Sequence, residues 1–158
     1  MTPWLQRAAW PAALVYLLLL PVARDWRYGH ASPTEIEGVM RSLHWMPLYY
    51  AYFAPSNQSA LTSFLAVAAS FAPVGALLWA IRLRPEDPLG QNQPVLTSAL
   101  AAAALSWLVE AGRLATAGLR PDPTNILIAA VAAVLAQRAC EWAARVVREM
   151  LRPESIVR

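Results

Sequence analysis

Ala60–Ile81 reads ALTSFLAVAASFAPVGALLWAI, 22 residues without a charge, closed by Arg82 and Arg84. At 1.5 Å per residue, such a helix is about 33 Å long, enough to cross a hydrocarbon core of roughly 30 Å. Pro73 and Gly75 inside it predict a kink or a close helix contact. Three further apolar runs flank it. Upstream, Ala8–Ala23 lies between Arg7 and Arg24 and reaches spanning length when Trp4 and Leu5 extend it, giving a span over 5–23. Downstream, runs over 95–117 and 126–147 complete a set of four, with the second span at 60–81. The fold class this predicts is all-α: an integral membrane four-helix bundle in a single membrane domain over 1–158, with a short amphipathic interfacial helix between spans 1 and 2. The composition agrees, being 58% hydrophobic and 15% charged with a mean hydropathy of +0.38. A cleaved signal peptide is the rival reading of the first run, but a cut after Ala23 puts Pro21 where a small residue is required.

The net charge of +3 is carried by thirteen Arg with no Lys. These stand singly between apolar runs, the pattern of helix flanks and not of a basic patch, so nucleic acid is not an expected partner. One cysteine, Cys140, excludes an internal disulfide, and His30 and His44 fall short of a metal cluster. With no Gly-rich phosphate loop or nucleophile elbow, neither a metal nor a cofactor is expected. Placing the N-terminus in the cytoplasm gives that side eight Arg against five outside. The positive-inside rule then favours cytoplasmic N- and C-termini.

The connection after the first span has structure of its own. Ser32-Pro33-Thr34-Glu35 reads as a capping box with Pro at the first helical position. Ile36, Val39, Met40 and Leu43 then recur on one face, so an interfacial segment over 33–54 is predicted, opening with an amphipathic surface helix. It runs into an aromatic stretch holding Trp45, Tyr49, Tyr50, Tyr52 and Phe53. This serves either as an interfacial anchor or as a platform for a sugar or lipid headgroup. In the fourth span, Gln137, Arg138, Glu141, Arg145 and Arg148 form a polar stripe. It is expected to be Arg snorkelling and local pairing where the helix leaves the bilayer.

Glu110, Arg113, Arg120, Asp122 and Asn125 cluster around the turn joining spans three and four. Glu110 lies roughly 22 Å along its helix, still inside the hydrocarbon zone, where a carboxylate is costly without a partner. Arg113, at i+3, can supply one. Asp122-Pro123-Thr124-Asn125 looks like a helix start capped by Asp122. Arginines and a helix N-terminus converging at one face suit an anionic headgroup, a phosphate or diphosphate. The competing reading is that these charges only lock the helix pair together. Binding predicts a cleft between the Glu110 turn and the Tyr49–Phe53 segment; locking predicts a closed, internally paired cluster.

Two stretches resemble the VanZ-like membrane proteins. Ser70-Phe71-Ala72-Pro73-Val74-Gly75-Ala76-Leu77-Leu78 is similar to that family's Phe-x-Pro-x-Gly element. Glu110-Ala111-Gly112-Arg113, followed by Arg120-Pro121-Asp122-Pro123-Thr124-Asn125 and an Ala-rich helix, is similar to its Glu…Arg…Asp…Asn signature, and Trp45-Met46-Pro47 to an element of some members. Arg113 stands where many members carry Gln, the acid-to-Asn spacing is shorter, and Ala130 and Ala133 occupy positions often held by Gly. The resemblance implies a cell-envelope role linked to glycopeptide resistance or exopolysaccharide, with lipid-linked glycan precursors or a glycopeptide as ligands. Three functions follow as expectations: an outer-leaflet binder of such anionic precursors among the membrane lipids; a scaffold docking onto other envelope membrane proteins; and an enzyme of lipid-linked phosphate chemistry with Asp122 or Glu110 as base. The enzyme stands last, because no nucleophile–base pair is visible.

Overall fold

A computed structural model of the chain describes residues 2–24, 29–44, 48–49, 56–84, 87 and 93–151. Among them are five helices: α1 (Thr2–Ala23), α2 (Pro33–Arg41), α3 (Asn57–Ile81), α4 (Val95–Leu114) and α5 (Thr124–Met150). No strand forms among the described residues; a single antiparallel bridge pairs His30 with Thr116. Helices α1, α3, α4 and α5 are long and apolar enough to cross a membrane, as the four expected spans require. The chain is a multi-pass membrane protein built as an all-helical bundle. Its surface is apolar, with Leu14, Leu18, Leu100, Leu135 and Trp142 exposed, while Ser98, Glu110, Gln137 and Glu141 are buried. Apolar outside and polar inside is the arrangement that lipid rewards and water does not.

α1 and α3 run antiparallel. Gln6 Nε2 donates to the Ile81 carbonyl at 2.9 Å, and the Tyr16 hydroxyl donates to the Ser70 carbonyl at 2.6 Å. α3 packs most closely on α5, through Val67, Phe71 and Val74 against Ala129 and Ala133. Gly75 makes this possible, since a Cβ built there would lie 1.8 Å from the Ala133 carbonyl oxygen. Of the two outcomes expected around Pro73 and Gly75, the close helix contact is present. Small residues at such a seam let backbones approach in a solvent that gives helices no hydrophobic reason to associate.

α4 and α5 form an antiparallel hairpin with a polar clasp at each end. Ser98 Oγ donates to Gln137 Oε1 at 2.6 Å, and Asn125 Nδ2 donates to Glu110 Oε1 at 2.8 Å. Ala102, Ala129 and Ala133 fill the seam and are completely buried. Here the expectation for the fourth-span stripe needs correcting. Gln137 and Glu141 do not leave the bundle; they continue the i, i+4 row of Ala129 and Ala133 and are buried with it. Gln137 Nε2 donates to Glu141 Oε1 at 2.8 Å and to the Gln93 carbonyl at 3.3 Å. The local pairing itself is as expected: the Gln137–Glu141 bond is the i, i+4 pair, and Arg138, more than half exposed, adds the i, i+3 pair to Glu141 Oε2 at 2.6 Å. Arg145 and Arg148 are exposed.

α2 begins with the full capping box. Ser32 Oγ accepts from the Glu35 backbone N–H, and Glu35 Oε2 accepts from the Ser32 N–H at 2.7 Å. These hydrogen bonds hold the Glu35 carboxyl below its usual range. Ile36, Val39 and Leu43 are half-buried, whereas Met40 is exposed. Of the predicted aromatic group, Tyr49 stacks on His44 with ring centroids 3.9 Å apart; Trp45, Tyr50 and Tyr52 lie outside the described residues.

Helices α1 and α3 begin three residues before the predicted spans and α5 ends three after, whereas α4 stops short, at Leu114 and not near residue 117. The reason is non-local. Ala117 N–H donates to the Gly29 carbonyl at 2.9 Å and Ala31 N–H donates to the Ala115 carbonyl at 3.0 Å. The chain leaves helix geometry to pair with the loop after α1, and Gly118, at φ +77°, completes the turn.

Candidate functional site

The ends of α1 and α4 and the start of α5 meet on one side of the bundle, and Glu110 stands at their junction. Its side chain is 5% exposed, so its charge has to be compensated by protein donors and not by water. Four groups do this. Arg113 Nη1 donates at 3.2 and 3.3 Å, Arg24 Nη2 at 3.5 Å, the Asp122 backbone N–H at 2.8 Å and Asn125 Nδ2 at 2.8 Å. The expected i+3 pair with Arg113 is therefore present, but it is one part of a larger arrangement. Arg24 was counted only as a flank of the first span. α1 and α4 are both antiparallel neighbours of α3, so their C-terminal ends fall on the same side; that topological fact is the signal that could have found it.

Asp122 takes the capping role expected of it, with its boundary one residue earlier than the helix itself. α5 is helical from Thr124, Pro123 already has helical dihedrals (φ −58°, ψ −23°), and Asp122 Oδ1 accepts the Thr124 N–H at 2.9 Å. Thr124, buried, accepts the Leu48 N–H at its Oγ1 at 2.9 Å, which brings Leu48 to the start of α5. The two carboxylates thus take up N–H groups at this helix start, so the helix terminus itself is already occupied by resident anions.

What remains open is a cavity of about 330 Å³ beside the junction, lined by Arg24, Ser63, Arg113, Arg120, Pro121, Asp122 and Asn125. It opens toward α1 and α3, and Tyr49 stacks on His44; residues 50–53 of the other wall expected for the cleft lie outside the described residues. Three guanidiniums, those of Arg24, Arg113 and Arg120, line it together with the Asp122 carboxylate. Arg120 is exposed and makes no hydrogen bond or ion pair to any described residue. Arg113 Nε is a buried donor without a hydrogen-bond partner. All five predicted residues therefore come together: Glu110, Asp122 and Asn125 in the hydrogen-bonded junction, Arg113 bridging junction and cavity, and Arg120 at the cavity alone. Comparison with protein-family models, with curated proteins and with solved structures finds no match for this chain.

Proposed function

We propose that this cavity binds an anionic headgroup, a phosphate or diphosphate, and that the protein is a VanZ-like inner-membrane component acting at the outer leaflet on lipid-linked envelope precursors. The observation carrying the anion site is the arginine set around the cavity: Arg120 without a partner among the described residues, and Arg113 with a buried donor to spare. Guanidinium groups held in place by a neighbouring carboxylate suit phosphate oxygens, because their donors are already oriented before the ligand arrives. Glu110 is a positioning group in this reading, and Asp122 and Asn125 shape the floor. The envelope assignment rests on the resemblance of Phe71-x-Pro73-x-Gly75 and of the Glu110-to-Asn125 stretch, and the outer-leaflet placement on the arginine bias.

A second reading has its own support. The Glu110 carboxylate is fully engaged within the protein, as a scaffold that only locks its helices would require. The two readings part at Arg120. Headgroup binding requires Arg120→Ala to lose function, or affinity for a phosphate probe, at normal protein abundance, because that side chain supports nothing in the fold. An Arg120→Ala variant with wild-type activity and wild-type abundance leaves only the scaffold.

A further inference from the structure

Building on the anion site, we infer that its ligand carries a long hydrocarbon chain, and that the chain lies in the groove between α1 and α3 that runs away from the arginine cavity. That groove has a volume of about 540 Å³ and is lined by Pro11, Val15, Leu19, Ala23, Ala69 and Pro73, among others. It lies in line with the charged cavity along both of its walls. On α1, Ala23 is the neighbour of Arg24, whose backbone N–H bonds the Leu20 carbonyl at 3.0 Å, so cavity and groove share one helix face. On α3, Ser63 lines the cavity and Ser70 the groove, seven residues apart and hence on the same face. The groove's one phenol, Tyr16, has its hydroxyl committed to the Ser70 carbonyl, which leaves the surface facing a chain apolar.

The dimensions fit this occupant. From Ala23 to Pro11 the groove covers roughly 18 Å of helix, close to one leaflet of a bilayer core about 30 Å thick. A phosphate at the arginines therefore places its chain at the depth a chain occupies in the surrounding leaflet. Head and chain bound together by one molecule gain from tethering, since fixing the head supplies the chain at high local concentration. The groove on the opposite flank of α1, lined by Leu17, Leu77, Ala104 and Leu105 and about 350 Å³ in volume, includes none of the three arginines. It serves as the internal control.

The test uses the full chain in detergent micelles with hexadecyl phosphate bearing a mid-chain diazirine. Illumination is expected to label peptides containing Val15–Leu19 or Ala69–Pro73, and excess unmodified hexadecyl phosphate to suppress that labelling. Ala69→Trp, which fills the groove from an exposed position, and Arg120→Ala should each lower the competable signal about tenfold, whereas Ala104→Trp should leave it unchanged. Competable label in the opposite groove, still lost in Arg120→Ala, overturns the chain assignment and keeps the anion site. Competable label in the α1–α3 groove that is indifferent to Arg120→Ala overturns the anion reading and this inference with it. Absence of competable label anywhere does the same.

Discussion

Glu110 shows how one side chain can be expensive and indispensable together. A carboxylate that is 5% exposed is tolerated because Arg24, Arg113, Asn125 and the Asp122 amide all serve it. Glu110→Gln keeps the shape and removes the charge, taking from Arg24 and Arg113 the buried carboxylate they share. Losing one partner of a buried pair costs 3–5 kcal/mol, and since Arg24 and Arg113 keep 13% and 20% of their side-chain exposure, about 3 kcal/mol is expected. Thermal unfolding in detergent reads this directly; wild-type stability in Glu110→Gln would mean the arginines are solvated after all. The Glu110–Arg113 pair was legible in the sequence because i+3 neighbours on a helix must meet. Arg24 was not, because nothing local connects residues 86 positions apart.

Elements tell a similar story about what a linear reading can reach. The four spans follow from hydropathy alone, because bilayer thickness imposes their length. The inward aim of Gln137 and Glu141 is masked in the sequence by the arginines beside them, although the i, i+4 row from Ala129 through Ala133 marks the buried face. The close approach of α3 to α5 makes the firmest prediction at this scale. Gly75→Ala drives a Cβ into backbone, 1.8 Å from the Ala133 oxygen and 2.7 Å from its carbonyl carbon. No side chain can move aside to relieve it, so the helices must separate at a cost of about 3 kcal/mol, the upper part of the range for overpacking. Gly38→Ala is the matched control. Nothing lies within 4 Å of its Cβ position on α2, and the exchange should be neutral or stabilise by up to about 1 kcal/mol. Equal melting temperatures for the two variants would show that the α3–α5 contact is looser than described.

At the scale of the whole molecule, orientation decides which compartment the arginine cavity meets. With four spans and both termini in the cytoplasm, the α1–α3 connection and the α4–α5 turn lie outside, as the arginine bias favours. In a Cys140→Ser background, cysteines at Gln58 and Gly118 should then react with an impermeant maleimide in intact cells. One at Gly90 should react only after permeabilisation. Labelling of Gly90 in intact cells would turn the molecule over and give the cavity a cytoplasmic ligand.

The shared carboxylate also has a consequence for biosynthesis. Arg24 enters the membrane with α1, while Glu110, which ties it to α4, is made 86 residues later, at the far end of that helix. Until then the first helix lacks this bond to α4 and is held by its contacts with α3. The N-terminal segment should therefore remain free to shift during translation and be fastened late, when Glu110 arrives and Asn125 follows. Chains arrested at residue 94 should leave α1 weakly retained against α3, with little disulfide trapping between cysteines at Gln6 and Ile81. Arrest after residue 130 should restore it; efficient trapping in both would mean that α1 is seated without waiting for its counter-charge.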